Sequence, residues 1–281
     1  MVRDEARMLP RWLDHYGRQV GVENLVVLDD NSTDGSTEGL PCTVIHLPPL
    51  TKKEFEPARM GLVSGIAAGL LEGYDAVLFT DADEFLVADP KKYAGLRELL
   101  ADRPGVPVLG AINLNLVHDV AREPALDDSR PVFEQRRLAK FMPLMCKPAV
   151  KRIPAPWAHA SHGIFAPYAV DRDLYMFHLK FADRELLRAA AEHRQQMVAM
   201  DGRADATSWR YGGDAMVELL DRVNEALDRS AVRNFRPPLR RLHTIVQEQP
   251  NGMFRAVGRG QVLAMETLPF VRVPERFVGS L

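Results

Sequence analysis

The chain of 281 residues carries 36 basic and 38 acidic side chains, and its formal net charge of −2 gives no electrostatic reason to expect nucleic acid as a partner. Its two cysteines, Cys42 and Cys146, support no disulfide framework and suit a reducing compartment. The uncharged stretch from Met60 to Leu71 is too short to cross a bilayer and no signal-like segment opens the chain, so a cytoplasmic protein is expected, free or peripheral at the inner membrane face, with no transmembrane segment.

Met8, Leu9, Trp12, Leu13 and Tyr16 recur at helical spacing; Asp4 stands where a cap would, Pro10 fits the first turn and Gly21 ends the run. Asn24 to Leu28 then reads as an apolar strand. It ends in acids and a turn-rich run, Asp29-Asp30-Asn31-Ser32-Thr33-Asp34-Gly35-Ser36, which can offer acceptors and backbone N–H groups to a sugar or base. Cys42 to His46 reads as a further strand. Pro57 to Leu71 reads as a helix whose Gly61, Gly65 and Gly69 share one face, a spacing that would let it lie close on a sheet.

Ala76 to Phe79 predicts a strand buried on both faces, and it stops at three acids, Asp81, Asp83 and Glu84. In open α/β sheets ligands gather in the crevice beyond the carboxyl ends of strands. An Asp-x-Asp at such a tip suits a hard divalent cation, which in turn holds phosphates. Taken alone, the pattern reads equally as an exposed acidic turn. A second acid-tipped strand on the same rim favours the site. The chain has neither a Gly-x-x-x-x-Gly-Lys loop nor Gly-x-Gly-x-x-Gly, so phosphate binding would have to rest on metal.

Four segments in order, Val2-Arg3-Asp4-Glu5-Ala6, Leu9-Pro10-x-Trp12-Leu13, Val27 to Gly35 and Phe79-Thr80-Asp81-Ala82-Asp83-Glu84-Phe85-Leu86, resemble the family-two glycosyltransferases, in particular a bacterial branch with a "DADEFL" motif. The resemblance covers about the first ninety residues. It implies the GT-A fold, a Rossmann-like α/β domain with a mostly parallel central sheet, binding a nucleotide-diphospho-sugar donor together with Mn²⁺ or Mg²⁺. Asp81 and Asp83 match the metal-and-diphosphate motif, with Asp83 the more direct ligand. Asp29 and Asp30 match the acids at base and ribose, Arg59 an arginine near the nucleotide, and Arg3 and Glu5 the place where the first strand meets it. One departure is the first strand, reduced here to Met1 and Val2; it is either truncated, which would weaken donor binding, or begun upstream.

Glycosyl transfer breaks a bond to a diphosphate, so charge builds on the leaving oxygens and a cation at Asp81 and Asp83 would neutralise it. Inversion also needs a base for the acceptor hydroxyl, worth about 10²–10⁴-fold. After a predicted helix over Lys91 to Leu100, a strand over Val106 to Leu116 ends in His118-Asp119, and Arg122 to Arg130 reads as a mobile loop over the site. Asp119 and Glu134 are the candidate bases, with Glu134 preferred because the branch carries an acid before arginines there.

His159, His162 and His178 lack the spacing of a structural zinc site. In many GT-A enzymes a late histidine completes the metal shell, a role open to His178, at the end of a predicted strand over Leu174 to Phe177, or to His162. Lys180 would add positive charge near the diphosphate. Beyond it, Asp183 caps an amphipathic helix carrying Leu186, Leu187, Ala190, Ala191, Met197 and Val198, and Ala215 to Leu227 forms a second. Arg233, Arg236, Arg240 and Arg241 read as a solvated basic face, and Met253 to Met265 as a strand pair.

The expectation is thus a catalytic domain over 1–181 with a mostly helical extension over 182–281. Its activity would be metal-dependent, inverting, hexosyltransferase-type transfer to an unidentified glycan, lipid or protein acceptor. A catalytically silent nucleotide-sugar or glycan binder is the rival. A metal-dependent phosphatase with Asp81 as nucleophile and Asp83 as acid fits less well, because Glu84-Phe85 stands where such enzymes want Thr or Val.

Overall fold

The computed structural model describes residues 1–49, 55–158, 160–202 and 208–281. Its first half runs α1 (Met8–Val20), β1 (Val26–Asp29), β2 (Thr43–His46), α2 (Phe55–Leu70), β3 (Val77–Leu78), β4 (Glu84–Ala88), α3 (Leu96–Ala101), β5 (Val108–Val117), α4 (Val132–Gln135) and β6 (Leu138–Phe141). There follow β7 (Pro148–Lys151), β8 (Trp157–Ala158), β9 (Gly163–Ile164), β10 (Ala169–Phe181), α5 (Arg184–Asp201) and α6 (Gly213–Leu227). The chain closes with β11 (Arg233–Asn234), α7 (Leu239–Ile245), β12 (Val246–Glu248), β13 (Phe254–Ala256), α8 (Gln261–Thr267) and β14 (Phe270–Arg272).

The fold is mixed α/β, but the expected mostly parallel sheet is replaced by a mixed one. Its main path is β11-β14-β6-β5-β10-β4, with β7 beside β5 and β3 beside β7. Only β5–β10 and β11–β14 pair in parallel within it. The other contacts are antiparallel, which short links can make without a crossover helix. β1 and β2 form a separate parallel pair, flanked by Val2 alone, whose N–H donates to Leu28 O and whose carbonyl accepts from Asp30 N–H. Between this pair and β3 lies an apolar cavity of about 490 Å³, lined by Trp12, Leu25, Val27, Val63, Ala67 and Leu78 among others.

Ala76 to Phe79 is half-buried beside that cavity, whereas β4, immediately after the acids, is buried along its whole length. β4 pairs with β10 alone. Its other edge is satisfied by α1: His15 Nε2 meets Leu86 O at 2.9 Å, and Tyr16 OH donates to Glu84 O and accepts from Leu86 N–H. Side chains on a helix thus take the place of a neighbouring strand, which lets an edge strand be buried without orphaned backbone groups.

Several expected details differ. Asp4 does not cap α1, which starts without a side-chain cap; its carboxylate accepts from the N–H groups of Thr33 and Asp34 instead. Gly61, Gly65 and Gly69 face solvent, because Met60, Val63, Ser64 and Ala67 form the buried side of α2. His178 lies within β10 rather than at its end, and Met253 to Met265 contains β13 followed by α8.

Residues beyond 181 hold the helices α5 to α8 together with the short strands β11 to β14. Asp183 caps α5 as the spacing predicts, accepting from Glu185 and Leu186 N–H, and α5 and α6 bury Leu187, Ala191, Leu220 and Val223 against Val117 and Phe181. Yet β14 pairs with β6, β12 and β13 join β8 and β9 in a four-stranded sheet, and Arg276 reaches Asp89 at 2.9 Å. No described helix is long and apolar enough to cross a membrane.

Candidate functional site

The acids Asp81, Asp83 and Glu84 occupy the tight link between β3 and β4, closed by a hydrogen bond from Glu84 N–H to Asp81 O. A second bond, from Leu179 N–H to Asp83 O, fastens this turn to β10. The three carboxylates have different surroundings. Glu84 is buried in a 2.7 Å ion pair with Lys147, itself buried and donating to Ser161 Oγ. Burial pushes the Glu84 carboxyl up, and Lys147 opposes it.

Asp81 is the open one, with a third of its side chain exposed and Arg59 Nη1 at 3.2 Å and Lys147 Nζ at 3.8 Å. Burial alone would raise its pKa; Arg59 and Lys147 hold it well below the usual carboxylate range. Asp83 meets His178 Nε2 at 3.2 Å and Arg194 Nη2 at 3.8 Å. Against the upward push of burial, His178 and then Arg194 bring the Asp83 carboxyl down to about 2.

The first motif shares this crevice. Arg59, then Asp81, Glu5 and Asp30, act electrostatically on the main-chain nitrogen of Met1, which puts acids of both clusters within electrostatic reach of one group. Burial, with Asp83 and then Asp81 nearby, raises the Glu5 carboxyl to about 7, with Arg194 pulling the other way. Asp29 is committed inside the protein, accepting from Ser32 N–H at 2.9 Å and meeting His46 Nδ1 at 2.8 Å. Its carboxyl is held low by these partners despite burial. Asp30 is buried beside it, and Arg3 has a buried Nε with no hydrogen-bond partner.

His162 comes in from the turn before β9. Burial, and then Lys147, lower its pKa to about 3, so the ring is neutral and its buried Nδ1 is unpartnered. His178 Nδ1 is likewise buried and unpartnered, while His159 lies outside the described residues. Lys180 donates to Gln261 Oε1 at 3.1 Å on α8; burial, then Arg194, lower it to about 7.

Backbone strain gathers here too. Among the described residues the non-glycine positions with left-handed backbone are Asp4, Asn31, Ala160 and Ser161. All four lie in the loops that carry these motifs, and each costs on the order of 1–3 kcal/mol that surrounding contacts must offset.

Neither candidate base joins the cluster. Glu134 is exposed on α4 with Arg130 at 3.5 Å, and Asp119 pairs with Arg122 at 3.0 Å. The loop over Arg122 to Arg130 is anchored elsewhere, Asp128 to Arg7 just before α1 and to Arg11 on it, and Leu126 N–H to Asp183. Arg233, Arg236, Arg240 and Arg241 are exposed. Sequence reasoning missed Arg194 and Lys147. Arg194 had a usable signal, a cation on an otherwise amphipathic helix close after Lys180, whereas the partner of Lys147 is sixty-three positions away (147 less 84) and leaves no local trace.

Among the described residues, no three His, Cys, Asp or Glu side chains gather closely enough to hold a metal ion by themselves. What exists is pairwise: two carboxylates in one turn, one of them on an imidazole, and two buried imidazole nitrogens without partners. That donor set fits a Mn²⁺- or Mg²⁺-like ion which draws its other ligands from phosphate and water, the usual arrangement where a cation bridges protein to nucleotide. Compared with models of known families and with curated proteins, the chain matches none.

Proposed function

We propose that the chain is a metal-dependent, inverting glycosyltransferase of GT-A type that moves a hexosyl group from a nucleotide-diphospho-sugar to an acceptor hydroxyl on a glycan, lipid or protein. One observation carries the reading: Asp81 and Asp83 share one turn within electrostatic reach of the group that Asp30, at the tip of β1, also acts on, and Asp83 is already on His178. Strained loops and unpartnered buried nitrogens at the same place support it, since such features are retained where a ligand or mechanism uses them.

In this reading Asp81, Asp83 and an imidazole of His178 or His162 hold the cation, which when bound supplies charge to neutralise the departing diphosphate. The protein's own cations do the rest. Arg194 and Lys180 stand beside Asp83 to meet phosphate oxygens, Arg59 orients Asp81, and Asp30 with Arg3 faces the nucleoside. Lys147 and Glu84 are buried as an ion pair beneath the turn, and Lys147 also faces Asp81 at 3.8 Å.

The test is calorimetric titration of nucleotide-sugars into the protein and into Asp83→Ala, with and without Mn²⁺. Binding is expected to need Mn²⁺ and to vanish in the variant; metal-independent binding of equal strength to both rejects the proposal. A second reading, a silent nucleotide-sugar binder, is favoured by one fact, the commitment of Glu134 and Asp119 to arginines away from the crevice. Slow Mn²⁺-dependent hydrolysis of the bound donor, with acceptor omitted, separates the enzyme from the binder.

A further inference from the structure

β1 and β3 each show one edge that no strand covers. β1 pairs with β2 and β3 with β7, and among the described residues neither has a strand on its other side. Between those two edges lies the apolar cavity of about 490 Å³. A void of that size belongs with ligand sites, at about 300–1,000 Å³, rather than with the small packing gaps of a core.

The strands that border it lie in one layer. Val26 and Leu28 of β1 pack with Val63 and Ala67 of α2, and so do Val77 and Phe79 at β3. Their alternates, Leu25 and with it Ala76 and Leu78, pack with Trp12 and Tyr16 of α1 instead. Alternate residues point to opposite faces of a strand, so α1 covers one side of the cavity and α2 the other. What separates β1 from β3 is thus a lane with a strand edge on each flank and a helix above and below.

Val2 is a single rung at one end of this lane. Its N–H donates to Leu28 O at 2.8 Å and its carbonyl accepts from Asp30 N–H at 2.9 Å, in a parallel bridge to Asp29. The N–H and C=O of one residue point to the same side of a strand, so the N–H of Leu28 and the carbonyl of Val26 face the lane as well. Met1 and Val2 already alternate as a strand would. Val2 packs with Leu9 and Val27, and Met1 with Leu28 and Val63.

An acyl chain would fill the volume and leave those backbone groups bare. A β-strand meets them on both flanks, as backbone donors and acceptors require when they are buried. Covered by a helix on each face, it has to be apolar throughout. Val2 fixes its direction, parallel to β1, and the lining fixes its length, with one residue opposite each of Asn24, Leu25, Val26 and Val27.

We propose that the lane between β1 and β3 takes one apolar β-strand, continuous with Met1, which knits the β1–β2 pair into the main sheet. Acid motifs follow both bordering strands, Asp29-Asp30 at the end of β1 and Asp81 to Glu84 after β3, so that strand also fixes the spacing of the two motifs. It does so whether or not the acids hold a nucleotide-sugar.

The test compares the parent with three chains extended ahead of Met1, by Ile-Val-Ile-Val, by Ile-Val-Ile-Pro and by Ser-Asn-Ser-Asn. Melting temperature and amide exchange at Leu28 are recorded for each. The Ile-Val-Ile-Val chain is expected to melt a few degrees above the parent and to exchange the Leu28 amide at least tenfold more slowly. The proline chain, which has no N–H for Val26 O, gains less, and the polar chain gains nothing. Should the first extension aggregate, Thr-Val-Thr-Val in its place carries the same expectations. Leu28 exchange unchanged by the apolar extension overturns the proposal, as does an equal gain from the proline or the polar chain. Equal protection of Leu28 by decanoate added to the parent also overturns it, by assigning the cavity to a free apolar ligand.

Discussion

Arg194, which meets Asp83, and Glu84, the next residue along the turn, make opposite uses of charge. Arg194 leans on Asp83 at 3.8 Å, too far for a hydrogen bond, and so keeps its donors for an incoming anion. Arg194→Gln is expected to weaken inorganic pyrophosphate about tenfold or more in the presence of Mn²⁺, the loss of a charge-assisted contact of roughly 1.5–3 kcal/mol. Isothermal titration checks this, and equal affinity would remove Arg194 from the anion's path. Glu84 is structural. Glu84→Gln leaves Lys147 buried without its 2.7 Å counter-ion and should lower the unfolding free energy by about 3 kcal/mol in urea, with Asp81 at 3.8 Å too exposed to take over fully. At this scale the acids themselves were legible in the sequence, because Asp81, Asp83, Asp29 and Asp30 sit in two compact motifs. Their distinct roles were not. Whether a carboxylate faces a crevice, an arginine or a buried lysine depends on partners far along the chain, as with Glu84 and Lys147, and spacing is silent about that.

Among the elements, α1 and β4 depend on each other. Apolar periodicity identified α1, yet its polar His15 and Tyr16 do the less visible job of hydrogen-bonding the free edge of β4. The apolar run Ala76 to Phe79 reads as core from its sequence, whereas Glu84 at the head of β4 reads as surface, and burial runs the other way. The arrangement has a pH signature. Burial lowers the His15 pKa from its ordinary 6.5 to about 4, so the unfolded chain binds a proton there below about pH 6.5 and the folded one does not until about pH 4. Stability is therefore complete above that window and is lost as pH falls through it, by up to about 3 kcal/mol. His15→Gln, which keeps a donor for Leu86 O, should flatten the loss between pH 6.5 and 4; a slope identical to the parent's would show that His15 does not titrate there. The helices after Asp183 were the most legible part of the fold, because a side-chain cap and an apolar stripe are local facts.

For the molecule as a whole, the sheet pairing was the least legible feature. Nothing local announces that β14 will return to β6, or that Arg276 will meet Asp89 across 187 positions. The same long closure means that residues beyond 181 belong to the fold that holds the site. A cavity of about 490 Å³ lies between β1 and β3. Ala67→Leu, on the α2 face that lines it, should gain about 1 kcal/mol from buried methylene groups and raise the melting temperature while leaving pyrophosphate affinity unchanged. A lower melting temperature would mean that the cavity walls cannot accept the side chain.

The separateness of β1 and β2 bears on how a long ligand would be gripped. Among the described residues no strand of the main sheet hydrogen-bonds to that pair, and Val2 and the Asp4 clasp on Thr33 and Asp34 are links near the acid turn. The gap between Asp30 and the Asp81–Asp83 turn is therefore spanned by side chains rather than by a rigid ladder. A molecule long enough to touch both would act as a brace across a seam, and amide exchange at Val26 to Asp29 should slow on its arrival while that of β5 and β10 stays as it was.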